Sequence, residues 1–121
     1  MIYRSKAPLR IGLAGGGTDV SPYSDEYGGA ILNATISLSA YASIEPIPGN
    51  TMIVEALDRK EEERFECASS LPINGKLDLL KGVYNRINMM YGLPSAGFRL
   101  STFVDAPAGS GLGTSSTLVV A

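Results

Sequence analysis

Apolar positions recur along this chain with two different periods. Ile36, Leu38, Ala40, Ala42 and Ile44 alternate with smaller or polar neighbours. That period of two predicts a long strand over Ala30–Ile47, ended by Pro46 and Pro48. Leu77, Leu80, Tyr84, Ile87 and Tyr91 instead step by three and four, and Leu79, Val83 and Met90 widen the stripe. This spacing predicts a helix over Leu77–Tyr91, stopped by Gly92 and Pro94. Ile2–Arg10 reads as a short strand whose Ala7-Pro8 step favours an edge or an entry loop. Ile11–Thr18 holds four glycines and reads as a loop. Gly49-Asn50 predicts a hairpin turn into a strand Thr51–Leu57, with a further short strand near Arg64–Ala68 after the charged stretch Asp58–Glu63. Phe98–Val104 then reads as a strand, Asp105–Gly113 as a Gly-rich loop, and Thr114 as the opening of a helix with Leu118 to Ala121 on its core face.

Composition narrows the class to one α/β domain. The chain has 121 residues, 45% hydrophobic and 18% charged, enough apolar surface to offset chain entropy. A formal charge of −2 argues against electrostatic capture of nucleic acid or an anionic membrane, while backbone N–H groups can still hold a phosphate locally. There is no histidine, which removes Ser-His-Asp chemistry and His-based metal sites. The single Cys67 cannot form an intrachain disulfide and reads as a small buried hydrophobe. Apolar runs fall well short of the ~20 residues of a membrane helix, and MIYRSKAPLR lacks the apolar core of a secretory signal. A cytoplasmic protein without nucleic-acid or membrane partners is expected. The run Arg59–Arg64 reads as a solvated hairpin end.

Two loops carry candidate chemistry. In Asp105–Thr117, Gly109, Gly111 and Gly113 let the backbone approach a ligand closely, and Thr114, Ser115 and Ser116 add hydroxyls for phosphate or Mg²⁺. A helix start adds N–H groups with no intrahelical acceptor, so the combination suits an anion; the alternative is a capped strand-to-helix turn. The spacing is neither the lysine-bearing P-loop, because Thr114 follows Gly113, nor G-x-G-x-x-G, because the third glycine comes one position early. The second loop follows Arg10 with Gly15, Gly16, Gly17, Thr18 and Asp19. Arg10 offers a fork of donors for an anion and Asp19 an acceptor for polyol hydroxyls; the alternative is a surface loop in which these two pair with each other.

Together the two loops resemble the signatures of the GHMP kinases (galactokinase, homoserine kinase, mevalonate kinase, phosphomevalonate kinase). Ala7–Ile11 through Gly15–Asp19 is similar to the first, and Pro107–Ser116 resembles the second, P-x-G-x-G-L-G-S-S-A. The resemblance implies a two-layer α/β domain of the ribosomal-protein-S5 type and ATP-dependent phosphorylation of a small molecule. It implies that Pro107, Gly109, Ser110, Gly111, Leu112, Gly113, Thr114, Ser115 and Ser116 hold ATP, with Ser115 at the Mg²⁺-binding serine. It implies further that Arg10 lies beside the catalytic carboxylate and that Arg10 and Gly15–Asp19 meet the sugar. Gly16-Gly17 replaces the Glu-His of galactokinases, and the form GGGTD followed by Ser21-Pro22-Tyr23 is similar to the branch of D-glycero-D-manno-heptose 7-phosphate kinases and fucokinase-like enzymes. That implies transfer to the anomeric hydroxyl of a heptose 7-phosphate, with a fucokinase-like enzyme or a non-catalytic ATP- and sugar-binding protein as alternatives. Arg10, Lys6 and Arg4 are the cations nearest in sequence for the sugar's own phosphate. The family's catalytic aspartate and acidic Mg²⁺ ligand fall later than Ala121, so residues 1–121 are expected to be the front part of the N-terminal domain, inactive alone and open to homodimerisation through uncovered surface.

Overall fold

The computed structural model describes every residue from Met1 to Ala121. Its elements run β1 (Tyr3–Ala14), α1 (Tyr23–Tyr27), β2 (Leu32–Pro46), β3 (Thr51–Ala56), β4 (Glu61–Glu66), α2 (Asp78–Tyr91), β5 (Phe98–Val104) and α3 (Thr114–Val120). The strands form one five-stranded sheet in the order β1-β2-β5-β3-β4, antiparallel except for the parallel pair β3–β5. The α/β class, the long strand, the long helix with its Gly92 stop, and β5 leading through the Gly-rich loop into α3 match the sequence expectations, but of Leu118 to Ala121 only Leu118 and Ala121 pack on the core while Val119 and Val120 stay exposed.

Three expectations change. β1 does not end at Arg10 but runs on to Ala14, because Arg10–Ala14 pairs with Leu32–Thr35 in a two-stranded arm beyond the reach of β5. Its proline is tolerated because β1 is the sheet edge, where a missing N–H breaks no second ladder. The turn at Gly49-Asn50 does not join a hairpin: β5 lies between β2 and β3, pairing with both. Gly97 makes that insertion possible, since a Cβ there would lie 2.9–3.0 Å from the carbonyl oxygens of Ile47, Gly49 and Thr51. No periodicity signals a strand that arrives nearly fifty residues later. Finally, β4 begins at Glu61, so half of the charged run is strand, and α1 is an element the hydrophobic pattern did not mark.

Both core clusters lie on the face of the sheet that carries α2 and α3. Met52, Val54 and Ala56 of β3 meet Leu77 and Leu80 at the start of α2, with Phe65, Cys67 and Leu100 packed around them. Leu9, Ala40, Val104 and Ala106 form the second cluster, joined by Leu112 and Leu118. Cys67 thus serves as a hydrophobe at the core margin. Only 17 of the 121 residues are buried, so much of the apolar content stays exposed. Some of it lines an apolar groove of about 540 Å³ between α2 and the β2–β5 face, bordered by Ile44, Leu79, Val83, Ile87 and Val120.

The α2 helix is held by polar contacts that the apolar stripe does not reveal. Asn85 bonds both the N–H and the carbonyl of Leu71, at 2.7 and 2.9 Å, and the Tyr84 hydroxyl donates to Ala68 O at 2.7 Å. Lys81, with a side chain of 0% exposure, lies 3.0 Å from Glu63 Oε2 and 3.2 Å from Asp78 Oδ1 and donates to Asn74 Oδ1. Glu63, expected on a solvated hairpin end, therefore faces α2 from β4. The ammonium also lies over the Phe65 ring.

Burial alone would pull the Lys81 pKa down, but the hydrogen bonds and charges of Glu63 and Asp78 outweigh it and raise it above the ordinary lysine value. Burial likewise pushes the Asp78 carboxyl up. The N–H groups of Asn74 and Gly75 and the Lys81 ammonium pull it down further, leaving it below the ordinary aspartate value. Stability from Lys81 is then fully present below its ordinary value of 10.5 and is lost as pH rises through its raised pKa. Stability from Asp78 is present above its ordinary value of 3.8 and is lost as pH falls through its lowered pKa. Lys81→Met is expected to lower the melting temperature at neutral pH. Thermal melts should show the gap to the unaltered chain closing only at strongly alkaline pH; a gap independent of pH would mean that packing, not charge, holds this corner.

Candidate nucleotide and sugar site

The site begins with a break in the β1–β2 register. Pro8 pairs with Ser39, but the next pair is Arg10 with Thr35, so one β1 residue spans three on β2. Leu9, at 0% exposure, turns into the core, and the ladder groups released around it bond elsewhere. The Arg10 N–H donates to Leu112 O at 3.2 Å. The Ser39 N–H donates to Asp105 Oδ2 at 2.8 Å, and the Asp105 N–H returns to Ser39 O at 3.0 Å. Both ends of the Gly-rich loop, Asp105 and Leu112, are thereby tied to the same irregularity, which agrees with the tendency of such features to sit beside functional sites.

Within the loop, Gly109, Gly111 and Gly113 have φ of 81°, 74° and 71°, a region that costs about 1–2 kcal/mol for a residue with a Cβ. At Gly109 and Gly111 a Cβ would meet nothing within 4 Å, so conformation rather than crowding demands glycine there. Gly113 is also crowded: a Cβ would lie 3.0 Å from Arg10 Nη1 and 3.1 Å from Arg10 Cζ. Ser110 donates its N–H to Pro107 O at 3.2 Å, whereas the N–H groups of Ala108, Gly109 and Gly111–Ser116 have no acceptor in the chain. A row of unspent donors in a left-handed glycine loop suits the oxygens of a polyphosphate. The hydroxyls of Thr114 and Ser115 are without partners, so Ser115 is free to face a cation carried by such an anion. No group of three or more His, Cys, Asp or Glu side chains gathers that could hold a metal by itself.

Ser116 is differently placed. Its Oγ accepts from Arg10 Nη1 at 3.0 Å and donates to Gly113 O at 3.0 Å. Arg10 is thus joined to the Gly-rich loop, and the alternative in which it pairs with Asp19 does not hold, since Asp19 makes no hydrogen bond or ion pair.

In the other loop, Gly15 has φ of 76°, and a Cβ there would fall 1.9 Å from Ala30 O. Gly17 is also left-handed, at 90°, and Gly16 is unconstrained. The Thr18 hydroxyl donates to Gly15 O at 2.7 Å and accepts the Ala30 N–H at 3.1 Å, so it closes the loop internally. Asp19 is left exposed on that closed turn. Arg4 and Lys6 stay on β1 in register with Ser43 and Tyr41, and Lys6 Nζ lies 5.5 Å from the Tyr41 ring centre.

A cavity of about 310 Å³ opens beside the Gly-rich loop, between Thr114 and Ser115 on one side and Asp58, Arg59, Leu77 and Asp78 on the other. Sequence reasoning did not find this wall. The signal available was the Asp78–Lys81 spacing of three on a helix, which marks a possible ion pair but not the strand carboxylate that completes it.

No protein-family model matches the chain. It is 44% identical over 117 residues to the D-glycero-alpha-D-manno-heptose 7-phosphate kinase of Campylobacter jejuni, covering 97% of this chain and 34% of that protein. It superimposes on the crystal structure of a D-glycero-D-manno-heptose 1-phosphate kinase from Bacteroides thetaiotaomicron with a TM-score of 0.91 and 56% identity, over 99% of this chain and 39% of that one. The mevalonate kinase of Methanococcus jannaschii shares the fold, with a TM-score of 0.82 at 17% identity. The chain spans about a third of the length of the Campylobacter relative. With both loops built as described and both heptose phosphate kinases aligning along nearly all of it, the chain belongs to the GHMP kinase family and corresponds to its N-terminal portion.

Proposed function

We propose that residues 1–121 form the front part of the N-terminal, ATP-binding domain of a longer sugar kinase, one that phosphorylates the anomeric hydroxyl of D-glycero-D-manno-heptose 7-phosphate to give the 1,7-bisphosphate. The single observation that carries this reading is the joining of Arg10 to the Gly109–Ser116 loop, which sets a cation beside a candidate polyphosphate cradle, on the strand that leads into the Gly15–Asp19 turn. The identity to two heptose phosphate kinases supports the choice of sugar.

In this scheme the unspent N–H groups of Ala108–Ser116 hold the ATP phosphates, and the 310 Å³ cavity lined by Leu77, Asp78 and Thr114 takes the nucleoside. ATP supplies the phosphoryl group, and Mg²⁺ would reach the Ser115 hydroxyl together with it. Arg10 stabilises charge spread over the transferring oxygens, as positioning and electrostatics carry most of phosphoryl transfer. Asp19 accepts hydrogen bonds from sugar hydroxyls, and its freedom from internal partners leaves it available. A neutral deoxysugar is the second reading, favoured by the 30% identity to the bifunctional fucokinase/GDP-fucose pyrophosphorylase of Arabidopsis thaliana and by the engagement of Lys6 with Tyr41. A soluble, cytoplasmic, homodimeric enzyme completes the proposal.

The test is a turnover screen of the longer protein against heptose 7-phosphate, fucose, galactose and mevalonate, read by ADP release and by phosphorus NMR of the product. Heptose 7-phosphate is expected to be preferred, and fucose preferred over it would install the second reading. Asp19→Ala is expected to lose sugar turnover while ATP binding, followed by calorimetry, is retained; equal loss of both would make Asp19 structural. Ser115→Ala is expected to weaken use of Mg-ATP, raising its KM with the sugar KM unchanged, and unchanged kinetics would remove it from the metal. Gly111→Ala, strained by about 1–2 kcal/mol at its φ of 74°, is expected to raise the KM for ATP by roughly tenfold.

A further inference from the structure

We infer that the Ser116 side chain is a positioning group that holds the Arg10 guanidinium at the mouth of the phosphate loop, and that its hydroxyl is not a ligand of the nucleotide. The inference rests on the kinase reading above and extends it. Ser116 Oγ has one proton, and that proton is directed to Gly113 O at 3.0 Å. Its acceptor side is directed to Arg10 Nη1 at 3.0 Å. With donor and acceptor both engaged, the hydroxyl has no proton left for a phosphate oxygen. The neighbouring hydroxyls of Thr114 and Ser115 keep theirs.

The contact is built from β1 on one side and from the Gly-rich loop and α3 on the other. Arg10 is drawn toward the loop by its own N–H bond to Leu112 O, and its guanidinium lies against Gly113, where a Cβ would be 3.0 Å from Nη1. Gly113 is thus needed twice, for its left-handed φ of 71° and for the space the guanidinium takes. Arg10 has five N–H donors, and Ser116 uses one. The others have no partner in the chain, and no carboxylate lies within 4.0 Å of the guanidinium. A long arginine side chain at an exposed edge strand would otherwise sample many rotamers, at an ordering cost incurred on each turnover. Ser116 restricts that search by a bond from the first turn of α3, the segment whose N–H groups face the same anion.

The role differs from that of a nucleotide ligand in what its loss does. Removing a group that binds ATP equally in ground and transition states raises KM, whereas misplacing a cation that acts on the transferring phosphoryl lowers kcat. Ser116 is exposed in the first turn of a helix, where alanine is well tolerated and leaves no cavity, so Ser116→Ala should fold.

The experiment is a double-substitution cycle of Arg10→Lys and Ser116→Ala in the longer kinase, with Ser116→Thr as the conservative control. Alongside it, the rate of Arg10 modification by phenylglyoxal is measured by peptide mass spectrometry on the unliganded protein. Ser116→Ala is expected to lower kcat about tenfold, the worth of one hydrogen bond to a charged group, with the KM for ATP nearly unchanged. Ser116→Thr should restore most of it. In the Arg10→Lys background Ser116→Ala should cost little more, because the residue acts through the guanidinium. Labelling of Arg10 should quicken several-fold in Ser116→Ala and return in Ser116→Thr. A raised KM for ATP that is additive with Arg10→Lys, or labelling unaffected by Ser116→Ala, would overturn the positioning role. Absence of turnover in the unaltered longer protein, with labelling still dependent on Ser116, would instead overturn the kinase reading while supporting the contact.

Discussion

The break in register between β1 and β2 is the constraint on which the site depends. A regular antiparallel pair would spend the ladder groups of Ser39 and Arg10 on each other's strands. By opposing Leu9 to three residues of β2, the sheet releases an N–H on each strand and buries one leucine completely. Those N–H groups then hold the two ends of the Gly-rich loop, through Asp105 and Leu112. The burial of Leu9 supplies the free energy, about 2 kcal/mol for a fully buried side chain of its size, and the released polar groups supply direction. Apolar packing and loop placement are therefore one event.

The same division of labour recurs on the far wall of the cavity. Leu77 and Leu80 dock α2 on β3, but packing by itself leaves the first turn of that helix free to shift by small amounts. Lys81 joins that turn to β4 and to the Asn74–Gly75 segment through Glu63, Asp78 and Asn74. A buried ammonium with two carboxylates and an amide is specific in geometry where a leucine is not, since each partner must be met within hydrogen-bond distance. Asp78 in turn borders the space beside Thr114 and Ser115. The core of the domain and the rim of its cavity share one ion cluster.

Much of this could be read from residue types. The alternation over Ile36–Ile44 and the three–four spacing over Leu77–Tyr91 located β2 and α2, because each reports a face buried along its own length. The spacing of Gly109, Gly111 and Gly113 located a loop, and the structure supplies the reason in three successive left-handed φ values. The Gly15–Asp19 turn was legible for the same cause. What escaped were relations between segments far apart in the chain. The insertion of β5 between β2 and β3 needs Gly97 to pass three carbonyls, and nothing near Gly49 announces it. The extension of β1 to Ala14 depends on a partner at Leu32–Thr35, while the glycines nearby favoured a loop.

The sequence by itself determined the α/β class, the two principal periodic elements, and the two loops whose glycines and hydroxyls mark candidate chemistry, because these follow from local conformation and one-sided burial. Tertiary structure decided that Arg10, on the strand leading into the first loop, meets the second. It placed Arg10 against Gly113 and Ser116 rather than against Asp19, committed the Thr18 hydroxyl to its own turn, and turned Glu63 inward to Lys81. Side-chain type states which bonds a residue is able to make; only the folded backbone, by bringing residues 10 and 116 within 3.0 Å, selects among them.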